Sequence, residues 1–309
     1  MGNEPLLAIV LGPTGSGKSD LALAIAERFR GEIVNCDSLQ LYRMFDIGTA
    51  KPDTTARRGI PHHLFDALDP DHVCTAGEYL RLARPILHEI AARGNLPVIA
   101  GGTGFYLRAL LHGLFAGPER NPELRERLAS TEQRHPGYLH RALRCVDPQS
   151  AIRIHPNDMN KLIRALEVSV TSRAPMTQLF GTGRDQLNGF RPLKLGLDPP
   201  RQELYTKLDE RCRWMWRHGL LDEVRRILAQ EVPETAKPFE SIGYKQALEV
   251  VMGRSGEAEA LEEMLRDTRR YAKRQLTWFR REPEVVWFPG FGGDESIASS
   301  ALESIKTHQ

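Results

Sequence analysis

Hydrophobic and polar positions along the chain follow two different periods. Leu6–Leu11 is an unbroken apolar run ending at a glycine, the pattern of a strand buried on both faces of a parallel sheet. Beyond it, Leu21, Ile25 and Phe29 recur at i, i+4 and i+8 and give a helix one buried stripe, which Gly31 is expected to stop. Glu32–Cys36 reads as a second strand, 76–93 as a helix ending at Gly94, and Leu96–Ala100 as a further apolar strand running into Gly101-Gly102-Thr103-Gly104. Strands alternating with helices predict an α/β fold with a doubly wound parallel sheet.

From Gly117 the pattern changes to short helical stretches punctuated by prolines, with no convincing strand before Arg191. Residues 118–191 are therefore expected to form a helical insertion in a core made of 1–117 and 192–309. Leu193–Leu197 resembles a strand returning to the sheet. Amphipathic segments follow around 202–230 and 258–281, Val285–Phe288 reads as an edge strand, and the final dozen residues are expected to fray.

Composition adds exclusions. The 309 residues are 41% hydrophobic and 27% charged, ordinary values for one large domain or a core with a smaller one. No stretch approaches the roughly 20 apolar residues of a membrane span, and the N-terminus lacks a signal-peptide layout. Cys36, Cys74, Cys145 and Cys212 are scattered without metal-ligand spacing, which fits a reducing, cytoplasmic setting. The formal charge of +2 is nearly neutral, so any nucleic-acid surface must be local.

Four stretches carry chemistry. Gly12-Pro13-Thr14-Gly15-Ser16-Gly17-Lys18-Ser19 follows a strand and precedes a helix. Its glycines let successive amides point inward on a phosphate, Lys18 adds a charge and Ser19 a hydroxyl for Mg2+, the arrangement of a P-loop. Asp37-Ser38-Leu39-Gln40 follows the second strand, on the rim where ligands of open α/β sheets collect. Asp37 there suits a metal ligand, a helix cap or a general base, and spacing alone leaves these open. Thr103, within the glycine turn 101–104, offers a hydroxyl on the same rim, and a second glycine turn beside the first favours a ligand over the alternative of a tight strand-to-helix turn. Residues 266–281 hold seven Lys or Arg against one Asp, interleaved with aromatics, as RNA binding requires and as a solvated helix face can also show. His62-His63, as neighbours on an extended segment, point opposite ways and suit packing better than shared metal ligation. Between 119 and 173, ten Lys or Arg face seven acids, a mild excess.

Taken in order, Gly-Pro-Thr-Gly-Ser-Gly-Lys-Ser (12–19), Asp-Ser-Leu-Gln-Leu-Tyr (37–42), Ile-Gly-Thr-Ala-Lys-Pro (47–52), His-His-Leu (62–64), Gly-Gly-Thr-Gly-Phe-Tyr (101–106), Gly-Tyr-Lys (243–245) and Ala-Lys-Arg-Gln-Leu-Thr-Trp-Phe-Arg (272–280) resemble the bacterial tRNA dimethylallyltransferase family over nearly the whole chain. Gly15, Ser19 and Phe105 stand where alanine, threonine and leucine are common in that family, and none of these differences removes a functional group. The resemblance implies a P-loop NTPase-like core with a helical insertion that helps grip the anticodon stem-loop. It implies transfer of a dimethylallyl group from dimethylallyl diphosphate to N6 of adenosine 37 in tRNA.

On this resemblance residues 12–19 hold the departing diphosphate with Mg2+, Thr103 and Arg211 assist, and Asp37 takes the proton from N6. Ser38, Leu39 and Gln40, with Asp37 and Thr103, would meet the flipped base. The implied tRNA contacts elsewhere are Arg125, Asn160, Lys161, Leu162, Ile163 and Arg164; Ser241, Ile242, Gly243, Tyr244 and Lys245; and Lys273, Arg274, Gln275, Trp278 and Arg280. The chain is expected to act as a monomer, away from membranes. Three rival readings share the P-loop: a small-molecule or nucleotide kinase, a transferase that prenylates free AMP or ATP, and an RNA-binding protein without catalysis.

Overall fold

A computed structural model describes residues 4–180 and 185–308. Its framework is a six-stranded sheet in the order β3-β2-β4-β1-β5-β6, parallel throughout. The strands are β1 (Leu6–Leu11), β2 (Gly31–Asn35), β3 (His62–His63), β4 (Leu96–Ala100), β5 (Arg191–Leu197) and β6 (Val285–Phe288). β1 is buried along its whole length because it pairs on both edges, with β4 and β5, and has helices to cover its faces. Its alternate residues Leu6, Ala8 and Val10 share a core with Leu21 and Ile25 of α1 (Lys18–Phe29) and Ala301 and Ile305 of the last helix.

Helices α2 (Ala76–Ala92) and α3 (Gly104–His112) flank β4 in sequence. Thr75 caps α2, its hydroxyl accepting from the Glu78 N–H. The chain divides into two units, Met1–Leu110 with Leu187–Gln309, and Leu111–Gln186, so the division falls inside the last turn of α3 and four residues ahead of β5.

The second unit contains α4 (Pro122–Arg134), α5 (Tyr138–Val146), α6 (Pro148–Arg153), α7 (Met159–Ser172) and α8 (Met176–Leu179), and no strand among the described residues. Leu139, Leu143, Leu162, Ile163 and Leu166 form its core. Two buried carboxylates tie it together. Glu167 accepts from Arg125, Arg164 and the Asn121 N–H, and Asp147 accepts from the backbone and hydroxyls of Ser150 and Thr177.

After β5 come α9 (Arg201–Arg217), α10 (Leu220–Leu228), α11 (Tyr244–Val251), α12 (Glu257–Phe279) and, beyond β6, α13 (Glu295–Lys306). Helices α9 to α12 meet in a core that also takes in Tyr42 and Phe45 from the loop after β2. Several local expectations are corrected. Gly31 opens β2, and Arg30 ends α1 by adopting the left-handed conformation itself, at φ 51°. The pattern at 202–230 is two helices, because Gly219 at φ 106° breaks it. The last described residues are largely helical, and α13 places Ala301 and Ile305 at 0% exposure. No described helix is long and apolar enough to cross a membrane.

Candidate active site

The loops after β1, β2 and β4 all leave the same rim of the sheet, which brings residues 12–19, 37–40 and 101–104 together. The phosphate loop turns into α1 through Gly17, at φ 81°, and its amides therefore share the positive end of a three-turn helix. A side chain at Gly17 would also collide with the Gly292 backbone nitrogen, 2.8 Å from its Cβ position. That close approach is a hydrogen bond between turns, Gly292 N–H donating to Ser16 C=O at 2.9 Å.

Two cations serve this loop. Lys18 Nζ donates to the Pro13 carbonyl at 2.8 Å. Burial brings its pKa down to about 8; the Asp37 charge opposes that shift and the Arg211 charge adds to it. Arg211, on α9, donates through Nη2 to the Thr14 hydroxyl at 2.7 Å, and burial lowers its pKa as well. Its Nε is buried with no partner among the described residues. Two desolvated cations on one glycine loop make a setting suited to an anion.

Asp37 is held from both sides. Its N–H donates to Asn35 Oδ1 and its Oδ1 accepts from the Leu39 N–H, each at 2.9 Å. The Thr103 hydroxyl accepts from the Ser38 N–H at 2.9 Å and donates to Ser38 Oγ at 3.2 Å. Thr103 thus orients the segment after Asp37. Gln275 locks the two glycine turns together, accepting from the Thr14 N–H at 2.8 Å and donating to the Gly102 carbonyl at 2.9 Å.

Two cavities open on either side of this junction. One, of about 460 Å³, is walled by the phosphate loop with Lys18, Ser19, Lys207 and Phe291. The other, of about 490 Å³, is walled by Ser38, Tyr42, Cys74, Thr103, Tyr106, Met215, Tyr271 and Arg274. Thr14, Asp37, Thr49 and Arg211 line both, so a carboxylate and a guanidinium stand at the waist where the cavities meet. Gln40 lines the phosphate-side cavity, its amide donating to the Thr49 carbonyl at 3.0 Å. Ser19 is exposed on the first turn of α1, and no group of three His, Cys, Asp or Glu suited to a metal occurs among the described residues.

The remaining expected site residues separate by burial. Ser241 and Ile242 line the second cavity with Arg274. Lys273, Arg274 and Trp278 form an exposed basic groove with Arg270 and Arg281, and Arg108 stacks over Trp278 at 5.6 Å. Arg280 pairs with Asp198, Lys245 stands 3.8 Å from Glu263, and Lys161 pairs with Asp158 beside exposed Asn160. The other positions are buried or already engaged within the protein. Leu162 and Ile163 belong to the core of the helical unit, Arg125 and Arg164 are engaged by Glu167, and Tyr244 is fully buried beside Gly243. Gln275 faces inward, since its position on α12 turns it toward the phosphate loop while its neighbours Lys273 and Arg274 face out.

Sequence reasoning missed Lys207, Thr49 and the turn Phe291–Asp294. Lys207 lies four residues before Arg211, one helical turn away on the same face, with Nζ 3.4 Å from the centre of the Phe291 ring. The glycine-rich run after β6 was the available signal for the turn.

The sequence model of one family, described as IPP transferase, matches residues 40–282. The chain belongs to the IPP transferase family. Among IPP transferase relatives, a protein of Solibacter usitatus named tRNA dimethylallyltransferase is 58% identical over 301 residues, covering 97% of this chain and 98% of its own. One of Koribacter versatilis with the same name is 54% identical, covering 99% of both chains. A crystal structure of a tRNA isopentenylpyrophosphate transferase from Bacillus halodurans shares 34% identity and a TM-score of 0.73, covering 99% of this chain and 96% of that one. A eukaryotic dimethylallyltransferase captured acting on tRNA superposes with a TM-score of 0.82 at 26% identity, covering 98% of this chain and 79% of that one. The family and the α/β core expected from the ordered motifs are those found.

Proposed function

We propose that this chain transfers the dimethylallyl group of dimethylallyl diphosphate to N6 of adenosine 37 in tRNA, releasing diphosphate. The observation that carries this reading is the waist: one cavity built for phosphate and one with apolar and aromatic walls meet at Asp37 and Arg211. A phosphoryl-transfer enzyme needs its acceptor at the terminal phosphate. Here the second chamber opens past the anion-binding groups, where the organic end of a short allylic diphosphate would project.

In the reaction N6 attacks the allylic carbon, a C–N bond forms, and the C–O bond to diphosphate breaks with its electron pair leaving on the diphosphate. Charge develops on that oxygen, so the loop amides, Lys18 and Arg211 are assigned to stabilise it. Lys207 is assigned to the outer phosphate. Asp37 accepts the proton lost from N6. An exocyclic amine conjugated to the purine is a weak nucleophile, so holding it in line with the C–O bond matters at least as much as removing its proton. The base reaches the waist by leaving the anticodon loop, where unstacking is least costly.

Mg2+ would add charge neutralisation at the diphosphate, held by the Ser19 hydroxyl and by diphosphate oxygens. An all-oxygen set with few protein ligands suits that ion. The exposed basic groove of α12 and exposed Asn160 and Lys161 are assigned to the anticodon stem-loop. We assign the chain to the cytoplasm, as a monomer.

The test is a labelled-prenyl assay with unmodified tRNA, with AMP, and with no acceptor, run side by side with Mg2+. Label on tRNA alone supports the proposal. Label on AMP alone replaces it with a free-nucleotide prenyltransferase, and ATP turnover without prenyl transfer replaces it with a kinase.

A further inference from the structure

Glu223 and Tyr244 line neither cavity, yet they end at the loop that does. Glu223, on α10, is 3% exposed, and Tyr244, at the start of α11, is 0% exposed. The Ile47 N–H is shared between the two Glu223 oxygens at 3.1 and 3.0 Å. The Tyr244 hydroxyl donates to Glu223 Oε1 and accepts from the Gly48 N–H at 3.1 Å. Two consecutive amides of one loop are thus captured by a buried carboxylate and a buried phenol.

That loop is a wall of the waist. Gly48 faces the second cavity, Ala50 the first, and Thr49 both. Its other side is held from the Asp37 segment, by Gln40 Nε2 to the Thr49 carbonyl at 3.0 Å. Just beyond it, the Lys51 ammonium donates to the Tyr42 carbonyl at 2.6 Å and pairs with Asp46 and Asp66. There is no slack against Tyr244, because a Cβ on Gly48 would stand 2.4 Å from its ring.

A carboxylate buried without a cationic partner is costly, and among the described residues no cation pairs with Glu223. Both donors it satisfies, the Ile47 N–H and the Tyr244 hydroxyl, belong to the anchoring of this loop. We propose that Glu223 and Tyr244 are positioning residues that fix the Ile47–Ala50 loop and thereby the width of the waist, aligning the acceptor amine with the allylic carbon. This role rests on the function proposed above.

The experiment compares wild type, Tyr244→Phe, Glu223→Ala, Glu223→Gln and Gly48→Ala in steady-state prenyl transfer to tRNA, with thermal melting of each. Tyr244→Phe keeps the ring, which packs on Phe45 at 4.8 Å, and removes only the hydroxyl. Its kcat is expected to fall about ten- to a hundredfold, as for a misplacement on the order of 1 Å. KM for both substrates is expected to stay within about twofold, because the binding groups are untouched. Glu223→Gln, whose carbonyl still accepts from Ile47, is expected to recover most of the kcat that Glu223→Ala loses. Gly48→Ala forces the loop and the Tyr244 ring apart while removing neither hydrogen-bonding group, so it carries the test if Tyr244→Phe does not fold, with the same loss expected. A folded Tyr244→Phe or Gly48→Ala with wild-type kcat, a loss confined to KM, or a Glu223→Gln no better than Glu223→Ala overturns the role. Wild-type protein that does not prenylate tRNA overturns the function itself, a separate and recognisable result.

Discussion

The two rims of the sheet treat charge in opposite ways. Where β2 and β4 begin, buried Glu32 accepts two hydrogen bonds from Arg93 Nη2, at 3.0 and 2.8 Å, and others from Asn95 and His63 at 2.7 Å. Burial pushes its carboxyl up, but those hydrogen bonds and the Arg93 charge outweigh burial and bring it from 4.5 down to about 2. Where the strands end, Lys18 and Arg211 are desolvated without a full complement of partners, and the same burial lowers both. One rim neutralises its charges internally and serves the fold. The other leaves them only partly satisfied, which is what supports its assignment to a ligand. The lesson is that a buried charge identifies a site only when its partners are missing.

The contrast can be broken from either side. The largest expected effect is at the ligand rim. Asp37→Asn is expected to lower prenyl-transfer kcat about 100- to 10,000-fold with tRNA affinity and melting temperature little changed. Normal turnover would remove Asp37 from the role of base. Lys18→Met should cost about 100- to 1,000-fold in turnover, and its thermal stability should equal or exceed wild type, since a desolvated cation is removed. A large drop in melting temperature would place Lys18 among the structural charges instead. At the opposite rim, Glu32→Ala is expected to lower unfolding free energy by about 2 kcal/mol and leave both kinetic constants unchanged, measured by denaturant titration beside the same assay.

Two pH profiles sharpen the comparison with smaller effects. In the proposed function Lys18 attracts diphosphate while protonated, so kcat/KM for the donor should hold below about 8 and fall as pH rises through that value. A profile flat to pH 10 would show that Lys18 does not titrate there. Glu32 has a folded pKa below its unfolded one. Its stabilisation is therefore complete above 4.5 and lost as pH falls toward 2, a component of the melting profile that Glu32→Gln should lack.

How much of this was legible depended on whether the signal was local. Leu6–Leu11, Leu96–Ala100 and Val285–Phe288 could be read with correct ends because an apolar run or turn residues bounded them. The phosphate loop was legible because its chemistry lies in eight consecutive residues. Gln275 was not, since its meaning is a pair of hydrogen bonds to residues 261 and 173 positions away. It sits in a basic stretch whose charged members Lys273 and Arg274 argue for an exterior role. For Tyr244 the motif marked the segment, while its full burial and its hydrogen bonds to Gly48 and Glu223 depend on residues far away in sequence. Arg211 could be placed by resemblance, whereas Lys207 one turn earlier showed nothing unusual in sequence. The helix α13 was overlooked because its apolar stripe is narrow and its neighbours are serines.

The contact between Gly292 and Ser16 has a consequence for how the protein is made. The phosphate loop leaves the ribosome long before the turn that covers it, because that turn follows β6. β1 likewise waits for β5, so the middle of the sheet stays open until most of the chain has been synthesised. A nascent chain stalled before residue 288 would display a finished glycine loop against a missing wall. The covered form of the loop should therefore arise only once the turn at 291–294 has been made.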